Sequence, residues 1–218
     1  MSSVEHKIGD KHLNKTGTTT VGIVCRDGVI LAADRRASAG YLVADKKAEK
    51  LHQIAPNMAV TIAGLVSDAQ LLVKLIKAEI RLKDLGTLRQ SSVKEAANLL
   101  ANIQYRNIRM PSMVAGIVGF LLAGVDNEGN QLYEIGVDGS IAITDMFMSD
   151  GSGSPFALGV LESQYKKGIS LEEGKQLAVT AINAALQRDI ATGNGLQVWA
   201  ITKDKVTKLM DVTINTGV

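Results

Sequence analysis

The strand-like segments of this 218-residue chain occur in groups and do not alternate singly with helices. A first group of strands precedes two helical patterns, a second group precedes two more helices, and a pair of strands closes the chain. A parallel doubly wound sheet needs a helix between successive strands, so this order disfavours it. The order predicts an α+β fold in which two antiparallel sheets pack together and helices cover both outer faces.

Segments rich in β-branched and apolar residues define the strands of this prediction. They are 18–25, 28–34, 41–44, 50–54, 58–64, 113–125, 131–137, 140–148, 196–202 and 206–210. Helices are expected at Ser67, Ser92 and Ser170, each of which precedes Gln or Glu by three residues, the spacing of a capping box. We expect Gly86 to end the first of these, and the others to reach about residues 107 and 188. A short fourth helix is predicted after Pro155.

The bulk properties restrict the setting in which the protein works. The chain fits a single domain, and 24 basic against 22 acidic residues give no clustered basic face for nucleic acid. The longest apolar run, 113–125, is too short to cross a membrane as a helix. Cys25 is the only cysteine, which excludes an intrachain disulfide and favours a reducing compartment, so we expect a cytoplasmic protein.

Common metal and cofactor motifs are missing from the sequence. The glycine-rich stretch 150–155 lacks the lysine of a phosphate-binding loop. His6, His12 and His52 do not have the spacing of metal ligands, so we expect neither a metal nor a cofactor. There is no G-x-S-x-G motif, and a hydrolase built from this chain would need a base other than histidine.

The character of the sequence changes sharply at Thr18, where a polar segment of 17 residues gives way to Thr-Thr-Thr and an apolar run. A threonine that becomes the first residue of a chain carries a nucleophile, Oγ1, and a base, its own α-amine, with an ordinary pKa of about 7.7–8.0. Gly17 has no side chain and would leave the peptide bond between Gly17 and Thr18 uncrowded. Taken alone, however, three threonines favour the plainer interpretation that a strand begins here.

Other motifs accompany this segment in a fixed order. They are TGTTTVGI at 16–23, AADRRAS at 32–38, KKAEKLHQI at 46–54, TIAGLVSDAQ at 61–70, SDGSGSPFALGVLESQY at 149–165 and QRD at 187–189. Together they resemble the β-subunits of the proteasome core particle, especially the single-type catalytic subunits of archaea. The resemblance runs from residue 16 to about 210 and implies a four-layer α-β-β-α sandwich, the N-terminal nucleophile hydrolase fold. It also implies that 1–17 is a propeptide removed between Gly17 and Thr18, and that 18–218 is one catalytic domain.

The resemblance implies a role for each residue that matches the catalytic site of the family. Thr18 matches the nucleophile of a threonine-type endopeptidase, Lys50 the lysine beside it, and Asp34 the acid that holds this lysine. Gly64 matches the residue whose N–H faces the oxyanion. The positions matched to the surroundings of the terminal amine are Ser152, Asp189 and Thr192. The last is usually serine in the family, and each of these residues also has an ordinary structural explanation.

A second set of positions matches the pocket for the side chain that precedes the scissile bond. These positions are Ala37, Ser38, Ala48, Ile62, Val66 and Gln70. None is charged, and burying an unpaired charge would cost several kcal/mol, whereas burying an apolar side chain is favourable by about 1.5–3 kcal/mol. The resemblance therefore implies a chymotrypsin-like preference for Leu, Phe or Tyr.

The resemblance also implies partners. Two heptameric β-rings, of one or several subunit types, would stack between rings of α-subunits, and a separate ATPase ring would supply unfolded proteins. One alternative is a non-catalytic β-subunit, although such subunits usually lack the threonine or the lysine. The other is a different N-terminal nucleophile hydrolase such as the bacterial two-ring peptidase, which is shorter and lacks the portion from GSGSPF to QRD. The segment 113–124 is a few residues longer than is usual in the family.

Overall fold

The computed structural model describes residues 17–112 and 116–214, so most of the predicted propeptide lies outside the described residues. Twelve strands and four helices lie within this part of the chain. They are β1 (Thr20–Cys25), β2 (Gly28–Asp34), β3 (Ala37–Ala39), β4 (Leu42–Asp45), β5 (Leu51–Ala55), β6 (Met58–Gly64), α1 (Val66–Thr87), α2 (Val93–Arg109), β7 (Val118–Asp126), β8 (Gly129–Ile135), β9 (Ile141–Thr144), β10 (Phe147–Asp150), α3 (Ser154–Gln164), α4 (Leu171–Leu186), β11 (Gly195–Ile201) and β12 (Val206–Thr213).

Two five-stranded antiparallel sheets form the centre of the molecule. The strand order is β10-β1-β2-β11-β12 in the first sheet and β5-β6-β7-β8-β9 in the second, and β3 and β4 form a separate hairpin. Leu31, Leu121 and Trp199 are among the buried side chains of the layer between the sheets. Helices α1 and α2 cover the second sheet through a cluster that includes Leu100, and α3 and α4 cover the first through one that includes Ile182. The α+β class and the four-layer sandwich are therefore confirmed.

Two of the three predicted capping boxes are present. The hydroxyls of Ser92 and Ser170 accept the N–H three residues later, and the glutamate at that position accepts the serine N–H in return. The prediction at Ser67 is wrong, because α1 already begins at Val66 and its start has no side-chain cap. Ser67 lies in the first turn, where its hydroxyl donates to the neighbouring carboxylate of Asp68.

The helix ends also differ from the prediction in places. Helix α1 passes through Gly86 and ends at Thr87. The next residue, Leu88, takes the left-handed conformation (φ 54°) that was expected of the glycine. Helix α2 extends two residues further than expected, and α4 ends two residues earlier. No helix in the described part of the chain is long and apolar enough to cross a membrane.

The segment 140–148 was predicted as one strand and is two. Strand β9 pairs with β8 in the second sheet, and β10 pairs with β1 in the first, so the chain changes sheets between them. Met146 lies at this change, where its carbonyl accepts the N–H of Val24 at 2.7 Å. Of the predicted strand 113–125, the part from Val118 onward is strand, and 113–115 lie outside the described residues.

Candidate active site

Thr18 is held at the point where the chain enters the first sheet. It is only 4% exposed and lies two residues before β1. Its Oγ1 donates to the carbonyl oxygen of Gly17 at 2.7 Å, and the Nζ of Lys50 donates to Oγ1 at 3.0 Å. The backbone N–H of Thr18 donates to the Oγ of Ser152 at 3.2 Å. The hydroxyl thus lies beside both a cation and the peptide bond that precedes it.

Asp34 reaches this hydroxyl through Lys50. The antiparallel register of β1 and β2 pairs Thr20 with Ala33, which brings Asp34, the last residue of β2, beside Thr19. The fully buried carboxylate accepts Lys50 Nζ at 2.6 Å and the N–H of Thr19 at 3.0 Å through Oδ1. Its other oxygen, Oδ2, accepts two further backbone N–H groups, each at 3.0 Å. These donors fix the carboxylate, which in turn fixes the ammonium.

The charge on Lys50 is under opposing influences. The residue is 5% exposed, and burial lowers the pKa of its ammonium below the ordinary value of 10.5, while Asp34 acts in the opposite direction. Lys50 directly precedes β5, the edge strand of the second sheet, whereas Thr18 and Asp34 belong to the first. The contact between hydroxyl and ammonium therefore depends on how the two sheets pack.

A chain of hydrogen-bonded hydroxyl and carboxylate groups begins at the backbone nitrogen of Thr18, which contacts Ser152. Ser152 Oγ donates to Asp189 Oδ2 at 2.6 Å, and Thr192 Oγ1 donates to the same oxygen at 2.5 Å. Thr192 Oγ1 also lies 2.7 Å from the hydroxyl of Thr19. The sequence predicted Ser152, Asp189 and Thr192 for this place, and the structure brings them together. The part played by Thr19 was missed, because a β-branched residue entering a strand needs no further explanation.

Gly64 lies at the end of β6 in a conformation that favours glycine. Its φ is +129°, and a Cβ at this position would lie 2.2 Å from the carbonyl oxygen of Ile117. The residue lines the same cavity as Thr18 and Gly17. A backbone N–H next to a nucleophile can stabilise an oxyanion by about 2.7–4 kcal/mol.

A cavity of about 530 Å³ opens beside Thr18. All six positions that the sequence predicted for substrate binding line it: Ala37, Ser38, Ala48, Ile62, Val66 and Gln70. The lining also contains residues that the sequence analysis did not assign to it: Arg36, Ala44, Asp45, Lys47, Glu49 and His52. The alternation of β5 could have indicated His52, because Leu51 packs between the sheets and its neighbour must face the opposite side.

Arg36 is a further residue that the sequence did not single out. Its Nε donates to Asn194 Oδ1 and its NH1 to the carbonyl oxygen of Ile190, both at 2.8 Å. It therefore fastens the loop that carries Asp189 and Thr192 to the strand that carries Asp34. No motif for this contact exists in the sequence, because the partners are more than 150 residues apart.

The groups assembled around Thr18 define the chemistry that this place can support. Among residues 17–112 and 116–214, no group of three or more His, Cys, Asp or Glu side chains could hold a metal ion. The assembled groups are a hydroxyl, an ammonium, two carboxylates and backbone N–H groups, which is a set suited to attack on a carbonyl carbon.

Comparison with known proteins shows the family of the chain. The family model described as "Proteasome subunit" matches residues 14–201. The protein named proteasome subunit beta from Methanosphaera stadtmanae is 48% identical over 191 residues, which cover 88% of this chain and 89% of that protein. The proteins of the same name from Methanocaldococcus vulcanius (44% identity; 91% and 87% covered) and Methanothermobacter thermautotrophicus (42%; 93% and 94%) are also similar. The chain therefore belongs to the proteasome subunit family.

Proposed function

We propose that the protein is a catalytic β-subunit of a proteasome and a threonine endopeptidase that frees its own nucleophile. The observation that carries the proposal is the position of Thr18 Oγ1 between Lys50 Nζ, at 3.0 Å, and the carbonyl group of Gly17. A strand start that served structure alone would not need a buried ammonium directed at the hydroxyl of Thr18 and a buried carboxylate that holds this ammonium, since burying charges is costly.

Self-processing begins from this arrangement. Oγ1 attacks the carbonyl carbon of Gly17, a bond from Oγ1 to this carbon forms, and the bond from the carbon to the nitrogen of Thr18 breaks. The proton of Oγ1 ends on that nitrogen, which becomes a free amine. Water then hydrolyses the ester, which releases the propeptide 1–17 and leaves 18–218 as the mature domain. The N–H of Gly64 is the proposed donor to the oxyanion.

Peptide hydrolysis then uses the new terminus. The amine of Thr18 takes the proton from Oγ1 as this oxygen attacks a substrate carbonyl, and it returns a proton to the leaving amine when the peptide bond breaks. Water then hydrolyses the ester on Oγ1, which releases the acyl part of the substrate and restores the hydroxyl of Thr18. Lys50 stabilises the developing negative charge on Oγ1, and Asp34 holds Lys50 in place. Ser152, Asp189 and Thr192 orient the amine. We propose no metal or cofactor for this reaction.

The substrate side chain before the scissile bond is assigned to the cavity beside Thr18. Ala37, Ala48 and Ile62 supply apolar wall. The charged residues of the lining are Arg36, Lys47 and Lys50 against Asp45 and Glu49, and Lys50 is already paired with Asp34. A charged side chain therefore gains no net electrostatic attraction there, and the expected preference is apolar.

We propose that the protein works inside an enclosed chamber that rings of subunits form. β-subunits form two stacked heptameric rings between α-subunit rings, an ATPase ring delivers unfolded proteins, and the particle works in the cytoplasm. Enclosure would make an unselective protease safe, because only unfolded chains reach its sites.

Substitution of Lys50 tests the catalytic assignment. In assembled particles, Lys50→Ala should lower peptide hydrolysis by at least about a hundredfold, corresponding to about 2.7 kcal/mol, because Oγ1 loses its neighbouring cation. The matched control is Lys203→Ala, an exposed lysine between β11 and β12, which should keep normal turnover. Near-normal turnover of Lys50→Ala particles would show that the catalytic assignment of Lys50 is wrong.

A further inference from the structure

His52 contributes an unusual polar group to the cavity beside Thr18. It lies on β5, on the face opposite Leu51, and shares the lining with Ala48, Ile62 and Gln70. The side-chain atom Nε2 is buried and has no hydrogen-bond partner among the described residues. A buried polar atom without a partner is destabilising, so a ligand that supplies the partner recovers part of this free energy.

The surroundings of His52 favour the neutral form of its imidazole. Burial lowers the pKa of His52 below its ordinary value of 6.5, and the nearby ammonium of Lys77 lowers it further, against a weaker opposing effect of Glu49. A neutral imidazole carries one N–H donor and one nitrogen acceptor. One nitrogen of His52 is held by a hydrogen bond to the backbone of Glu49, and the unpaired Nε2 is left to accept a hydrogen bond from a hydroxyl group.

Gln70 adds a second uncharged polar group to the same lining. It lies on α1, is exposed, and its side-chain amide makes no hydrogen bond within the described part of the chain. The cavity thus combines an apolar wall with two uncharged polar side chains that have unused hydrogen-bonding capacity. Its volume of about 530 Å³ lies within the range of about 300–1,000 Å³ that is typical of ligand sites.

We propose that His52 makes this cavity select substrate side chains with an apolar body and an uncharged hydrogen-bonding tip, so that tyrosine before the scissile bond is preferred to phenylalanine. The inference rests on the proposed endopeptidase function and narrows its apolar preference. Tyrosine and phenylalanine bury similar ring surface against Ala48 and Ile62. They differ by one hydroxyl, which only the polar part of the lining can distinguish.

The test compares two fluorogenic peptides that differ only in carrying Tyr or Phe before the scissile bond. On assembled particles without the propeptide, kcat/KM for the Tyr peptide should exceed that for the Phe peptide by about five- to tenfold, the effect of one net hydrogen bond. His52→Phe should bring this ratio to about one, mainly by slowing the Tyr peptide. His52→Gln retains a donor and an acceptor and should keep most of the preference.

Other results would overturn the inference. Equal or faster cleavage of the Phe peptide by the unsubstituted particle contradicts it, whatever the variants do. A Tyr preference that survives His52→Phe but is lost in Gln70→Leu assigns the selection to Gln70 and contradicts the role of His52. Either outcome leaves the threonine mechanism standing, because both peptides are still cut. That mechanism fails separately if particles with a free Thr18 terminus cut no peptide at all.

Discussion

At the scale of single residues, Gly17 occupies a place that admits no side chain. A Cβ at this position would lie 1.7 Å from the Cβ of Ala191, in the loop that carries Asp189 and Thr192. Gly17 is therefore required for the peptide bond before Thr18 to lie close to this loop. From the sequence, a glycine is expected here because it leaves the peptide bond before Thr18 uncrowded. The close contact with Ala191 adds a specific steric reason.

Gly17→Ala should slow removal of the propeptide by about tenfold or more, corresponding to about 1.4 kcal/mol, because the added methyl group displaces the carbonyl from Oγ1. The measurement is the fraction of processed chain over time after assembly, by gel or mass spectrometry. The matched control is the double variant Gly17→Ala/Ala191→Gly, which removes the opposing methyl group and should restore processing only in part, because the Cα of residue 191 would still lie 2.9 Å from the added methyl group. Unchanged processing of Gly17→Ala would show that the crowding does not matter.

The candidate site was predictable from sequence where a residue type is tied to a chemical task. Thr18, Lys50 and Asp34 are a nucleophile, a cation and its counter-charge, and each lies in a motif that resembles a known family. Arg36 was not assigned to the site, because its partners meet it only in the folded chain, whereas the alternation of β5 could have indicated His52. Thr19 was missed because a β-branched residue entering a strand needs no further explanation, and its hydroxyl partner is 173 residues away.

At the scale of helices and strands, local patterns predicted starts better than ends. The capping boxes at Ser92 and Ser170 were correct because both partners lie within four residues. The predicted strand 140–148 was wrong because its apolar residues continue without a break while the backbone changes sheets. Which sheet each half joins is decided by pairing with β8 and β1, and that information is not local.

The two serines make a matched pair for the capping interpretation. Ser92→Ala should lower the free energy of unfolding by about 1 kcal/mol, because the start of α2 loses a reciprocal hydrogen-bond pair. Ser67→Ala should change it by less than about 0.5 kcal/mol, since Ser67 caps no helix. Urea unfolding of the unassembled full chain measures both. A loss at Ser67 equal to that at Ser92 would contradict the observed start of α1.

Asp150, the last residue of β10, makes the stability of the fold depend on pH. Burial raises the pKa of its carboxyl above the ordinary value of 3.8, although the N–H of Gly151 donates to it at 2.7 Å and acts the other way. A raised pKa means that the folded state holds the proton more tightly than the unfolded state. Ionisation therefore disfavours the fold, and stability falls as pH rises from about the ordinary value through the raised one.

Asp150→Asn should consequently raise the melting temperature at pH 7, because the amide stays neutral and still accepts the Gly151 N–H. The gain should shrink as the pH is lowered towards 4, where the aspartate becomes protonated in the folded state. The control is Asp145→Asn, an exposed carboxylate whose pKa is lowered by Lys167, and which should bring no gain at pH 7. Equal melting temperatures for Asp150→Asn and the unsubstituted chain at pH 7 would contradict a cost of ionisation.

At the scale of the whole molecule, the site exists only where the layers meet. Thr18 and Asp34 come from the first sheet, Gly64 from the second, and Lys50 from the residue before its edge strand. The layers could be predicted from the order of strands and helices, because grouped strands favour antiparallel sheets. The register that brings Lys50 Nζ within 3.0 Å of Thr18 Oγ1 could not, since it depends on side-chain packing between the sheets.

The most direct test of the central claim is the intact mass and amino-terminal sequence of the subunit in assembled particles. The account predicts a chain that begins at Thr18 and lacks 1–17, and a Thr18→Ala particle that keeps the whole propeptide because the attacking oxygen is gone. The particles must contain no other active β-subunit, so that cleavage by a neighbour is excluded. A chain that starts elsewhere, or efficient cleavage before residue 18 in the Thr18→Ala particle, would contradict self-processing by this threonine.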